Sequence, residues 1–297
     1  MSTDVSESAG RLTPERARAA VTPAALGSVV LGATFHYLGP SFAVLLFAHV
    51  DTLGVAWLRL ASAAVVFALW RRPWNVLREA APAERRTMLG LGVVLAAMNA
   101  AFYLALDRAP LATVASIEFL GVVALAAYGV RSRRNTVALG LVCGGVALLT
   151  QVSLAGSLAG LLWAAVNCAG FVLYVVLGHR ISGAGGVDRL GVAVVVAAVV
   201  ATPFGVGQAS PAFTHPEWLA WGAGVGICST VIPYVADQWA MSRLPRSSYA
   251  LMLALLPVTA TVCGLVLLGQ VPGRLEVAGI GLVGAAVALH RPREADR

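Results

Sequence analysis

Ten apolar stretches follow one another along this chain, at roughly 25–49, 52–70, 87–106, 111–130, 135–151, 156–179, 187–207, 217–241, 246–269 and 274–290. An α-helix rises about 1.5 Å per residue, so about 20 apolar residues cross the hydrocarbon core of a bilayer. Inside lipid every backbone polar group must be satisfied within its own segment, which leaves helices as the answer for runs of this length. The rest of the composition agrees. Of 297 residues, 59% are hydrophobic and only 12% are charged, where a soluble domain carries about 25%. The fold class expected is an all-α polytopic membrane protein.

The arginines set the topology. All 21 basic residues are arginine. With the amino terminus inside, 18 of them fall on the inner side, in the two tails and in the connections around Arg71–Arg86, Arg131–Arg134, Arg180–Arg189 and Arg243–Arg246. Only Arg108 and Arg274 fall outside, and Arg59 lies within a span. Cationic connections stay on the cytoplasmic side, so the split predicts ten spans with both termini cytoplasmic. The net charge of +7 then belongs to the inner membrane face, and no nucleic-acid partner is expected. Residues 1–23 are polar, so no cleaved signal peptide is expected.

The halves resemble each other. Arg108-Ala109-Pro110 precedes the fourth span and Arg243-Leu244-Pro245 the ninth; Ala105, Ala115 and Leu120 match Ala240, Ala250 and Leu255 at an offset of 135. With a four-residue gap, Gly140 and Gly145 match Gly279 and Gly284. Five spans per copy is an odd number, so the second copy inserts upside down, as in many secondary transporters. The expected organisation is a tail (1–23), two five-helix repeats (24–151 and 155–290) and a second tail (291–297).

Charges inside such spans are costly and mark either a partner or a use. Glu118 sits within the fourth span and Arg59 within the second, each about eight residues from the outer end. That puts both about 10 Å from the outer surface, and so near each other. Two readings stay open: a fixed ion pair that holds the first repeat together, or a site where Glu118 binds an amino group or a proton while Arg59 tunes it or takes a carboxylate. Asn99 and Tyr103 share a face of the third span, and Phe102 is a further candidate wall. Asn167, Phe171 and Tyr174 share a face of the sixth, with Trp163 a turn earlier. Both sets fit helix packing as well as a site. His36 and Tyr37 stand beside Gly39-Pro40 in the first span, where proline removes a backbone bond. His49 is expected at the outer surface. Pro233 and Tyr234 interrupt the eighth span, with Asp237 a turn later, inside the site or at the cytoplasmic interface; Pro257 interrupts the ninth. Gly222, Gly224 and Gly226 lie within an apolar helix and are read as small-residue packing. The four cysteines are scattered singly and are read as buried small residues.

Several stretches together carry a family likeness: W-L-R-L at 57–60, M-N-A-A-F-Y-L-A-L at 98–106, A-S-I-E-F-L-G at 115–121, S-T-V-I-P-Y at 229–234, R-L-P at 243–245 and L-L-G-Q-V-P at 267–272. In these the chain resembles the drug/metabolite transporter superfamily with two EamA-type domains, and within it the bacterial threonine/homoserine exporters. The resemblance spans about residues 30–290. It implies ten helices in two inverted repeats, and export of small polar metabolites by alternating access with a proton as the usual coupling ion. Arg59 and Glu118 match the family pattern, and Asp237 stands where the exporters usually carry Glu. Val122, Leu256 and Gln270 depart from it, replacing a proline, an acidic residue and a glutamate.

The substrate-site candidates are therefore Glu118, Arg59, Asn99, Tyr103, Asn167, Tyr174, Tyr234 and His36, with Glu118 and Asp237 for coupling or gating. The expected partners are an amino acid or related polar metabolite, a proton and the lipid bilayer, in a bacterial inner membrane. No lysine exists to build a P-loop, no metalloprotease or serine-hydrolase motif is present, and neither cofactor nor metal is expected. A broad-specificity drug or metabolite exporter is the alternative within the class; an intramembrane enzyme or scaffold is the alternative outside it.

Overall fold

Proline and serine punctuate the helix starts. The computed structural model describes residues 23–109, 114–115, 117–118, 120–121, 124–125, 133–150, 157–183, 185–253, 255–256 and 273–289. The tails at 1–22 and 290–297, and Val122, Pro257, Cys263 and Gln270, lie outside the described residues. Helices α1 (Pro23–Leu46), α2 (Thr52–Arg71), α3 (Pro73–Glu79), α4 (Pro82–Leu106), α5 (Arg133–Thr150), α6 (Leu158–Ile181) and α7 (Gly186–Gly205) come in order. They are followed by α8 (Ser210–Thr214), α9 (Pro216–Gly226), a π-helix (Ile227–Val231), α10 (Ile232–Met241), α11 (Arg246–Met252) and α12 (Arg274–Leu289). The described residues between 114 and 125 are helical as well.

Pro73, Pro82 and Pro216 stand at the first helical positions of α3, α4 and α9, where a missing N–H costs nothing. Ser157 caps α6, its hydroxyl accepting from the Gly160 N–H, a bond that satisfies one of the open donors of a helix start. The described residues contain no strand. Helical residues fall in each of the ten apolar stretches. Five helical runs among the described residues are long and apolar enough to cross a membrane: α2, α4, α6, α7 and the continuous Pro216–Met241 run.

Packing follows a regular scheme. Helix α4 lies along α6 and α7, α2 along α7 and α9, α1 along α10 and the π-helix, and α5 along α12. Helices α2 and α7 run antiparallel. Leu53 N donates to Gln208 Oε1 (3.2 Å) and Trp57 Nε1 to Thr202 Oγ1 (2.9 Å) at one end. At the other end Arg71 pairs with Asp188. At that same end Arg189 pairs with Glu84, and Arg134 donates to the Leu289 carbonyl, tying the start of α5 to the end of α12. Half-exposed pairs such as these add little stability, but they fix which helix ends meet.

Glycine sets the close crossings. A methyl at Gly39 of α1 would lie 1.6 Å from Ser229 Oγ, and one at Gly226 would lie 2.5 Å from the Arg59 carbonyl oxygen. A methyl at Gly222 would press on the Leu58 side chain at 3.1 Å. The Gly222–Gly226 stretch thus serves helix packing, with Gly224 facing open space. Cys143, Cys168 and Cys228 are free thiols; Cys168 and Cys228 are half-buried and Cys143 is exposed, contrary to the buried position expected for it. His49 is exposed and stacks on Trp218, ring centroids 4.6 Å apart.

Candidate functional site

A small cavity lies between helices of both halves of the chain. His36 and Pro40 of α1, Arg59 of α2, and Met98, Asn99 and Phe102 of α4 line it from the first half, together with Glu118. Asn167 and Phe171 of α6 and Tyr234 of α10 line it from the second. Its volume is about 20 Å³, room for about one water molecule.

Glu118 is buried and fully engaged. Asn167 Nδ2 donates to its Oε2 at 2.6 Å, and His36 Nε2 lies 3.7 Å from Oε1. The geometry joins the fourth, sixth and first spans at one carboxylate. Burial raises the stake on each of these contacts.

Arg59 lines the same cavity, yet no ion pair joins it to Glu118, so the fixed-pair reading does not hold. Its Nε donates to Thr230 Oγ1 (2.8 Å) and its Nη2 to the Ser229 carbonyl (2.7 Å). The reason lies four residues along. In an α-helix the Ser229 carbonyl would accept from the N–H of residue 233. That residue is proline and has no N–H. The chain bulges into a π-helix at 227–231 just before it, and the freed carbonyl faces the guanidinium. The Arg59 guanidinium also lies 5.8 Å from the Tyr103 ring centroid, within cation–π range. Ser229 and Thr230 were not among the residues singled out in the sequence. Their signal was S-T-V-I-P itself: a proline four residues after a serine, in a membrane span facing an arginine.

Other candidates scatter around this centre. Asn99 Nδ2 donates to the Ala56 carbonyl at 2.9 Å, leaving Oδ1 without a partner. Tyr103 is fully buried but does not line the cavity; it packs on Phe47 and Phe102 below Arg59. Its neighbour Phe102 forms the wall instead. Tyr174 also stands off the cavity. Its hydroxyl donates to Asp237 Oδ2 at 2.9 Å, and its ring stacks on Tyr234 at 5.1 Å. Asp237 is 7% exposed, buried inside the bundle. Trp163 points outward, 39% exposed, and is no part of the stripe made by Asn167, Phe171 and Tyr174.

A second, wider cleft of about 570 Å³ opens at the arginine-rich end, lined by Arg71, Asp188, Gln238, Trp239, Ser242 and Arg243 with Gly183, Gly185 and Gly186. Helix α10 connects the two: Tyr234 faces the small cavity and Gln238, one turn on, faces the cleft.

Long apolar helices that bury a carboxylate, an aspartate and an arginine around an internal cavity define a polytopic helical membrane protein with a polar site in its core. The comparisons with known proteins narrow the class. Residues 158–290 match the EamA-like transporter family. The chain is 30% identical over 259 residues to the threonine/homoserine exporter RhtA of Escherichia coli (strain K12), covering 84% of each chain. It is 29% identical over the same length to the threonine/homoserine exporter RhtA of Salmonella typhimurium (strain LT2), again covering 84% of each. A protein crystal structure shares its fold at 18% identity, with a TM-score of 0.65 over 89% of this chain and 94% of that one. The chain belongs to the EamA-like transporter family. It is a membrane transporter and not an enzyme.

Proposed function

We propose that this chain exports an amino acid such as threonine or homoserine, or a closely related polar metabolite, across a bacterial inner membrane by alternating access. The observation that carries this reading is the buried Glu118, held by Asn167 and His36 in a cavity lined from both halves of the chain. A carboxylate in such a place suits an ammonium group. Arg59 supplies the positive charge for a carboxylate, and the free acceptor of Asn99 suits a hydroxyl or ammonium proton. A cavity of about 20 Å³ is too small for any amino acid, so this arrangement is a closed one, and binding requires the two sides to part.

Two inverted repeats, 24–151 and 155–290, are the mechanical basis of the proposal. If the first span corresponds to the sixth, the second to the seventh and so on, the most extensive contacts pair up or map onto themselves. The α4–α6 contact pairs with that of α10 on α1, and α4–α7 with that of α9 and the π-helix on α2. The α2–α7 and α5–α12 contacts map onto themselves. This pattern supports a twofold axis in the membrane plane. The arginine-rich end, with the wide cleft, is then the cytoplasmic side and carries both termini. Tyr174 and Asp237 sit between cleft and cavity as the inner gate, and a proton is the coupling ion.

The test is counterflow. Purified protein in vesicles preloaded with unlabelled threonine or homoserine is expected to take up the labelled compound saturably. A panel of other amino acids and hydrophobic cations runs beside it. The aromatic wall of Phe102, Phe171 and Tyr234 favours a wider range as the second reading, and exchange of the cations but of neither amino acid would select it. No exchange of any panel member by folded protein would end the proposal.

A further inference from the structure

Four ionisable groups meet in the core of the bundle: Arg59, Glu118, His36 and Asp237. Arg59 keeps its charge in any protein and is bonded to Ser229 and Thr230, so it cannot carry an exchangeable proton. The other three can. His36 Nε2 is 3.7 Å from Glu118 Oε1. One turn down the same face of α1, Gly32 leaves room for Asp237: a methyl there would lie 3.4 Å from Asp237 Oδ1. Helix α1 thus meets a carboxylate of the first half at His36 and a carboxylate of the second one turn away, at Gly32. Among the described residues, the other polar side chains around these groups are Asn99 from the third span, Asn167 and Tyr174 from the sixth, Tyr234 from the eighth, and Tyr249 of α11 beside Asp237.

The charge count is decisive. With His36 neutral and both carboxylates ionised, the four groups sum to one negative charge. One added proton brings the sum to zero, the state a low-dielectric interior tolerates best.

We propose that His36, Glu118 and Asp237 share one exchangeable proton, with His36 as its carrier, and that the ammonium group of the substrate displaces it. This rests on the amino-acid export reading and deepens it. The step balances. Substrate enters from the open side and its ammonium takes the place of His36 on Glu118. The displaced proton leaves the imidazole for water on that same side. After the switch, substrate leaves on the other side and a proton from that side returns to His36. One substrate moves out for each proton moved in.

The experiment uses the full chain in detergent at low buffer strength, with threonine and homoserine as probes. At a pH low enough for the free site to hold its proton, wild type is expected to release one proton per substrate bound, and its affinity is expected to fall as the pH is lowered. His36→Gln is expected to bind with altered affinity but to release no proton, and to lose the pH dependence. A merely structural histidine would change affinity and leave the proton count alone. Equal proton release by wild type and His36→Gln, or none by wild type that binds, would overturn the proposal. A second measurement needs no substrate. The titration curve of the His36 ring, followed by NMR in histidine-labelled protein, is expected to move with Glu118→Gln and again with Asp237→Asn. A curve unmoved by either also overturns the shared proton. If wild type binds neither amino acid, the export reading falls, and the ring titration still decides the proton cluster.

Discussion

Helix α4 and the α9–π–α10 run occupy corresponding places in the two proposed repeats and are built in opposite ways. Helix α4 runs unbroken from Pro82 to Leu106. Its buried Asn99 donates to the Ala56 carbonyl of α2, its buried Tyr103 stands off the cavity, and its remaining contribution to the cavity is the wall of Met98 and Phe102. The other run spends Pro233 on a break. It frees a backbone carbonyl, draws Arg59 across from the first half, and carries Tyr234 and Asp237 into the core. A straight helix supplies walls. A broken one supplies polarity, because backbone groups that cannot reach each other must be met from elsewhere.

The largest effect expected from this contrast is at Arg59. Arg59→Met removes two bonds from a charged donor and leaves the Ser229 carbonyl buried and unpaired, a loss of about 3–4 kcal/mol. Adding Pro233→Ala restores the missing N–H. The double variant is expected to regain about 1 kcal/mol of that loss. Unfolding in mixed detergent reads both, and a double variant no more stable than Arg59→Met would break the link between proline and arginine.

Glycine sharpens the comparison next. Gly39→Val puts a branched side chain where a methyl already meets Ser229 Oγ at 1.6 Å, and it should cost about 2–3 kcal/mol in the same assay. Gly90, in the unbroken α4, has open space around it. Gly90→Ala should stabilise by about 0.5 kcal/mol. Comparable losses at both positions would mean that the crossing at the π-helix is not special.

Tyr174→Phe is the mildest of the destabilising changes. It removes the 2.9 Å bond to Asp237 and keeps the ring stacked on Tyr234, so about 1–2 kcal/mol should be lost. If the pair is the inner gate, the rate of exchange should rise in this variant while stability falls.

Much of this layout is legible in the sequence, for physical reasons. Helical segments follow from the apolar runs, since lipid leaves the backbone no alternative. His36, Arg59, Asn99, Glu118, Asn167 and Tyr234 stand out as polar or aromatic groups inside apolar spans, and the structure brings all six to one cavity. The partner of Arg59 was not legible from charge alone. Opposite charges at equal depth suggested Glu118, but the Ser229 carbonyl and Thr230 hydroxyl lie within reach of the guanidinium, while Glu118 is turned to Asn167 and His36. Helix rotation was the other hidden variable. Tyr103 and Phe102 are adjacent, and only the tilt of α4 decides that Phe102 faces the cavity. Trp163 has the right spacing from Asn167 and still turns outward. Cys143 has the same history, a small residue on the open side of α5.

Counterflow of labelled threonine in vesicles carrying Glu118→Gln, beside wild type and Arg71→Gln at the arginine-rich end, tests the central claim most directly. The amide keeps the shape of the side chain and its bond to Asn167 but removes the charge that would hold an ammonium group. Folded Glu118→Gln protein is expected to lose exchange, while Arg71→Gln, which breaks only the half-exposed pair with Asp188, keeps most of it. Exchange by Glu118→Gln at the wild-type rate would contradict the account and move the transport site away from this cavity.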